Sequence, residues 1–151
     1  MILIDTEALV VFILGLIAPS LLGKHRRASI YNIHHFNKLQ EILANNMSRV
    51  IVLPNTWTEV DNLLNDNLRN DHKYKYIEVF RQLVYATTER YLETKATVVT
   101  DHFQQIGLAD SQILACASLG DTIICADSLL ADWVRAKGFG IFDFKKWANE
   151  N

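Results

Sequence analysis

The sequence predicts a three-layer α/β/α domain around a central parallel sheet. Short apolar runs recur along the chain, ILID at 2–5, VIVL at 50–53, IIC at 123–125 and GIF at 140–142, and longer segments of helical periodicity separate them. Half of the 151 residues are hydrophobic, enough for one sizeable core, and only 6 Gly and 2 Pro argue against low complexity. No Pro/Ser/Gly-rich linker divides the chain and no solenoid-length repeat is present, so residues 1–151 read as a single domain.

The opening stretch, MILIDTEALVVFILGLIAPSLLG, is the most apolar in the chain, yet it carries Asp5 and Glu7. A secretory signal starts with positive charge, and no Lys or Arg precedes Lys24. A membrane span needs about 20 apolar residues, and Gly15, Pro19 and Ser20 interrupt this run. It therefore reads as a buried strand, Ile2–Asp5, followed by a helix over Glu7–Ile17 that Pro19 and Gly23 stop.

A second helix over Ile30–Leu43 carries Ile33, Phe36, Leu39, Ile42 and Leu43 on one stripe. The strand VIVL ends at Pro54, and a helix over Thr56–Leu68 follows. A long helix over Tyr74–Leu92 is expected to face inward through Ile77, Phe80, Leu83, Val84 and Tyr91. ATVVT at 96–100 reads as a strand or an extended linker. Helices over Asp110–Leu119 and Ser128–Lys137 close at Gly120 and Gly138, and Phe144–Ala148 forms a terminal turn. Cys116 and Cys125 sit in apolar contexts and read as reduced core residues of a cytosolic protein.

In a parallel sheet all strand C-termini lie along one edge, and ligands bind there. Asp5 ends the first strand and Asp127 the third, in junctions of one design: ILIDTEAL and IICADSLL. Asp110 starts the helix of GLADSQILA, and Glu59 lies one turn into the helix after VIVLP. Each acid has an ordinary alternative. Asp5, Asp110 and Asp127 suit helix N-caps, and Thr56-Trp57-Thr58-Glu59 spells a capping box. As a set they are better explained by a cation, because clustered carboxylates repel unless neutralised. Oxygen-only ligands select Mg²⁺ or Mn²⁺, and such a site can activate water and stabilise a phosphoryl transition state.

Four segments together, ILIDTEALV, LPNTWTEVDNLL, IGLADSQILACA and IICADSLLADW, resemble the PIN-domain family, metal-dependent ribonucleases found among the toxins of bacterial toxin–antitoxin pairs. The resemblance covers nearly the whole chain. It implies that Asp5, Glu59, Asp110 and Asp127 hold Mg²⁺ or Mn²⁺ and hydrolyse RNA phosphodiester bonds. It implies Thr6 and Ser128 as hydroxyls orienting acids or phosphate, and Asn62 as support for the Glu59 helix. A cytoplasmic location, an antitoxin partner and a homodimer follow from the resemblance as well. Toxin-like members are often shorter between the first acid and the glutamate; here GLIAPSLLGKHRR and the Ile30–Leu43 helix add length.

The net charge of -2 gives no global attraction to polyanions, so any grip on nucleic acid must be local. GKHRR at 23–27 is the one dense basic cluster. Such runs usually face water; at the rim of the site, Lys24, Arg26 and Arg27 would contact phosphate. NDHKYKY at 70–76 reads as a helix surface. His34 and His35 are adjacent on a helix, about 100° apart, and cannot easily share an ion. No zinc spacing, GxGxxG or P-loop is present. The competing functions are a non-catalytic PIN-like scaffold or nucleic-acid-binding module, and a phosphatase or phospho-receiver. A dehalogenase-like phosphatase needs Asp-x-Asp where this chain has Asp5-Thr6-Glu7, and a receiver needs Asp where VIVL runs into Pro54.

Overall fold

The computed structural model describes all residues, 1–151. Five parallel strands form the central sheet: β1 (Ile2–Ile4), β2 (Val50–Val52), β3 (Thr88–Glu89), β4 (Thr122–Cys125) and β5 (Gly140–Asp143). Their order is β3-β2-β1-β4-β5. The chain builds outward from β1 on one side, then returns to β1's other side for β4. The crevice between the carboxyl ends of β1 and β4 is thus a topological switch point, where open α/β sheets bind ligands. No helix is long and apolar enough to cross a membrane.

Eight helices cover the sheet: α1 (Thr6–Ile17), α2 (Ile33–Leu43), α3 (Pro54–Leu64), α4 (Asn70–Ala86), α5 (Thr94–Val98), α6 (Phe103–Cys116), α7 (Ser128–Ala136) and α8 (Phe144–Glu150). Strand side chains alternate between two cores. Ile4, Val50, Val52 and Ile124 pack beneath α1, α2, α3, α4 and α8. Leu3, Ile51, Ile123 and Cys125 pack against α6 and α7 through Ile113, Leu114, Leu130 and Val134. α1 lies among other helices and is buried nearly all round, which is why its sequence is apolar on every face. Gly15 makes this packing possible: a Cβ there would stand only 2.1 Å from the Phe36 ring.

Several boundaries differ from expectation, each for a local reason. α2 begins at Ile33, because Asn32 caps it and His35 Nδ1 accepts from the Asn32 N–H in return; Ile30 and Ile33 are left exposed. α3 begins at Pro54, a residue suited to the first helical position. The Thr56–Glu59 pair is therefore inside the helix and forms no capping box. α4 starts at Asn70 and turns Tyr76, Val79 and Leu83 inward; Ile77 and Val84 face out, and Tyr91 lies beyond the helix, 80% exposed. Tyr76 donates to Asp61 at 2.6 Å, fixing that rotation. The third strand position is taken by the polar pair Thr88–Glu89, while ATVVT falls in and after α5. α6 is bent at Gly107, whose φ of 78° favours glycine. It ends at Cys116, short of Leu119. The terminal turn is the helix α8.

Candidate active site

The carboxyl ends of β1 and β4 open into a cleft of about 560 Å³. Asp5, Glu59, Asp110 and Asp127 all line it, brought there by the ends of β1 and β4 and by α3 and α6. Glu7 adds a fifth carboxylate.

Asp5 is 2% exposed, and each of its oxygens accepts one backbone hydrogen bond. Its Oδ1 accepts from Ala8 N–H at 2.9 Å, capping α1, and its Oδ2 accepts from Ala126 N–H at 2.6 Å. Each oxygen keeps a second lone pair. Burial pushes its pKa up to about 8, against the pull of those two N–H groups, and the charges of Asp110 and Glu7 push the same way. Asp127 caps α7 by accepting from Leu130 N–H through Oδ1 at 2.9 Å, which leaves Oδ2 free. The capping expectations hold for these two acids.

Asp110 is different: it lies inside α6, three residues past the Gly107 bend, and caps nothing. Burial first, then the charges of Asp127 and Glu59, push its pKa up to about 7. Glu59 also caps nothing; its Oε2 accepts from Thr6 Oγ1 at 2.6 Å. Glu7 Oε1 accepts from the Tyr31 hydroxyl at 2.8 Å.

Among the other expected residues, Arg26, Arg27, Thr6 and Asn62 reach the cleft. Arg26 and Arg27 lie on a 3-10 turn, Arg26–Ala28, opened by His25 Nδ1 accepting from Arg27 N–H. Lys24 and Ser128 are exposed and line none of it. Asn62 lines the wall and makes no side-chain hydrogen bond, so it does not tie down the Glu59 helix. Sequence reasoning missed Lys145, which enters the cleft from α8, and it gave Glu7 no role.

The donor chemistry fits a hard cation. All five ligand candidates offer only oxygen, the preference of Mg²⁺ and Mn²⁺. Against them stand three cations, Arg26, Arg27 and Lys145. With every group ionised, the excess is two negative charges, which one divalent ion neutralises. As the side chains stand, no three His, Cys, Asp or Glu groups are arranged to hold a metal ion: Glu59 turns to Thr6, and Asp5 to two backbone N–H groups. The chain matches no family model, no curated protein and no solved structure.

Proposed function

We propose that this cleft is the centre of a Mg²⁺- or Mn²⁺-dependent endoribonuclease of the PIN-domain type. One observation carries the reading: acids from four separate segments line one cleft, and two of them, Glu59 and Asp110, cap no helix. Asp5, Asp110, Asp127 and Glu59 would hold the ion, and Thr6 would orient Glu59 through its 2.6 Å bond. Bound there, a divalent ion supplies charge that activates water and stabilises the phosphoryl transition state. Arg26 and Arg27 would receive RNA phosphates. Hydrolysis breaks one P–O ester bond, and the proton lost by the attacking water ends on the leaving oxygen. Asp110 and Glu59, free of capping bonds, are the groups suited to that transfer.

A cytoplasmic site of action suits two unpaired cysteines. A toxin role, with an antitoxin and a homodimer, rests on the family resemblance alone. The rival reading is a non-catalytic PIN-like scaffold or nucleic-acid-binding module. It gains from the capping duties of Asp5 and Asp127, which give those acids a purpose without chemistry. It gives no purpose to Asp110, half-buried at the cost of a raised pKa. Calorimetry with Mn²⁺, followed by RNA cleavage with and without EDTA, separates the two. The nuclease reading expects Mn²⁺ binding clearly weakened by Asp110→Asn, which removes a charged oxygen ligand, and cleavage abolished by EDTA. Cleavage that survives both treatments refutes it.

A further inference from the structure

The three cations of the cleft do not arrive independently. Tyr31, in the loop that carries Arg26 and Arg27, is buried, and its ring stacks on Phe144 at 5.0 Å with planes 9° apart. Phe144 is fully buried and immediately precedes Lys145. The strand end before it is also pinned: Asp143 accepts from Lys146 N–H at 3.1 Å and from Arg135 at 2.7 Å. One aromatic stack thus ties the segment before Lys145 to the loop that carries the arginines, and all three cations line the one cleft. None of the three is in an ion pair, although five carboxylates face the same cleft. Cations of one wall that leave the acids unpaired are available to an external anion.

We propose that Lys145 is a substrate-binding residue, and that with Arg26 and Arg27 it forms a polyanion-binding wall gripping successive phosphates of a single-stranded RNA beside the acids. This rests on the nuclease reading for the identity of the strand.

The test is fluorescence anisotropy with a short labelled single-stranded RNA in EDTA, titrated across salt concentrations, with Mn²⁺ calorimetry on the same proteins. A wall that neutralises three phosphates gives a slope of log affinity on log salt of about -2, and taking away one of its cations reduces the size of that slope by roughly 0.7. Lys145→Gln is expected to weaken binding several-fold and reduce the slope by that step. Lys146→Gln, at an exposed lysine that does not line the cleft, is expected to match wild type. If Lys145 merely balances the acids, Lys145→Gln leaves RNA affinity and slope unchanged and tightens Mn²⁺ binding, which overturns the proposal. Loss of RNA binding in Lys145→Gln supports the wall even if the wild type proves to cut nothing. Wild-type cleavage with an unaltered KM and slope in Lys145→Gln removes the wall and leaves the nuclease reading intact.

Discussion

Asp5 Oδ2 accepts a hydrogen bond from the backbone N–H of Ala126 at 2.6 Å, joining the carboxyl ends of β1 and β4 across the switch point. The carboxylate that caps α1 therefore also adds a bond between the two strand ends, beyond the backbone pairing that ends with Asp5 N–H donating to Ile124 C=O at 3.0 Å. Asn at this position must turn an N–H toward one backbone N–H, and Ala satisfies neither. Asp5→Ala is expected to cost about 2–4 kcal/mol, the combined loss of a cap and of a partner for a buried donor. Urea unfolding measures it. A cost under about 0.5 kcal/mol would mean that the bond does not hold the strands together.

The acids also make stability depend on pH. Asp5 and Asp110 have folded-state pKa values of about 8 and about 7, above the ordinary 3.8. Between those limits the metal-free folded protein binds more protons than the unfolded chain. The resulting stability is full below about pH 4 and is lost as pH rises through 7 and then 8. Each titrating group contributes a slope of at most about 1.4 kcal/mol per pH unit. Thermal unfolding in EDTA should show Tm falling from pH 5 to pH 9. Asp110→Asn should flatten the part of that fall between about pH 4 and pH 7, leaving the part that runs on to about 8 to Asp5, and a variant with an unchanged profile contradicts the assignment.

Thr6 and Glu59 meet across the mouth of the cleft. The bond is exposed, so Thr6→Val should change stability by less than about 1 kcal/mol. Its effect belongs on activity, because it releases the Glu59 carboxylate from one orientation. Cleavage is expected to fall roughly 10-fold, in line with loss of an orienting partner of a metal-binding group, while Thr6→Ser retains it. Equal activity in Thr6→Val and wild type shows that Glu59 needs no such holding.

Much of this arrangement is legible in the sequence because strand ends announce themselves. ILIDTEAL and IICADSLL each place an acid between an apolar run and a helix, and both acids stand where that pattern puts them. The rest depends on signals that the pattern lacks. β3 is two polar residues at the sheet edge, with no apolar run to mark it. The Thr56–Glu59 pattern fits a helix start, yet Pro54 takes the first position a half-turn earlier. In GKHRR the sequence gives three cations equal standing; in the fold Arg26 and Arg27, on the turn Arg26–Ala28, line the cleft and Lys24 does not. Lys145 lies beside another lysine, and only the burial of Phe144 distinguishes the two.

Tyr31 links the cleft to the core, since its hydroxyl donates to Glu7 while its ring packs on Phe144. Tyr31→Phe keeps the ring and removes the donor, leaving Glu7 half-exposed and able to find water. The expected loss is about 1 kcal/mol. Tyr31→Ala removes the ring as well and should cost about 3–5 kcal/mol. The difference between the two variants isolates the packing of the ring, on Phe144 and on the edge of His35, and equal losses would place the whole effect in the hydroxyl.

Gly15 and Phe36 give the most direct check on how α1 and α2 pack. The Cβ of an alanine at 15 would stand 2.1 Å from Phe36 Cδ2, well inside contact distance. Helix propensity alone favours alanine over glycine by about 1 kcal/mol, so an unhindered site would be stabilised. Here Phe36 is buried and its ring lies 5.9 Å from that of Phe12, so it cannot swing aside freely. The steric term is expected to win, with Gly15→Ala destabilising by about 1–3 kcal/mol. Shortening the opposing side chain should recover part of this, making Gly15→Ala with Phe36→Leu less costly than the two changes summed. Gly15→Ala more stable than wild type would mean that the two helices stand farther apart than the ring contact requires.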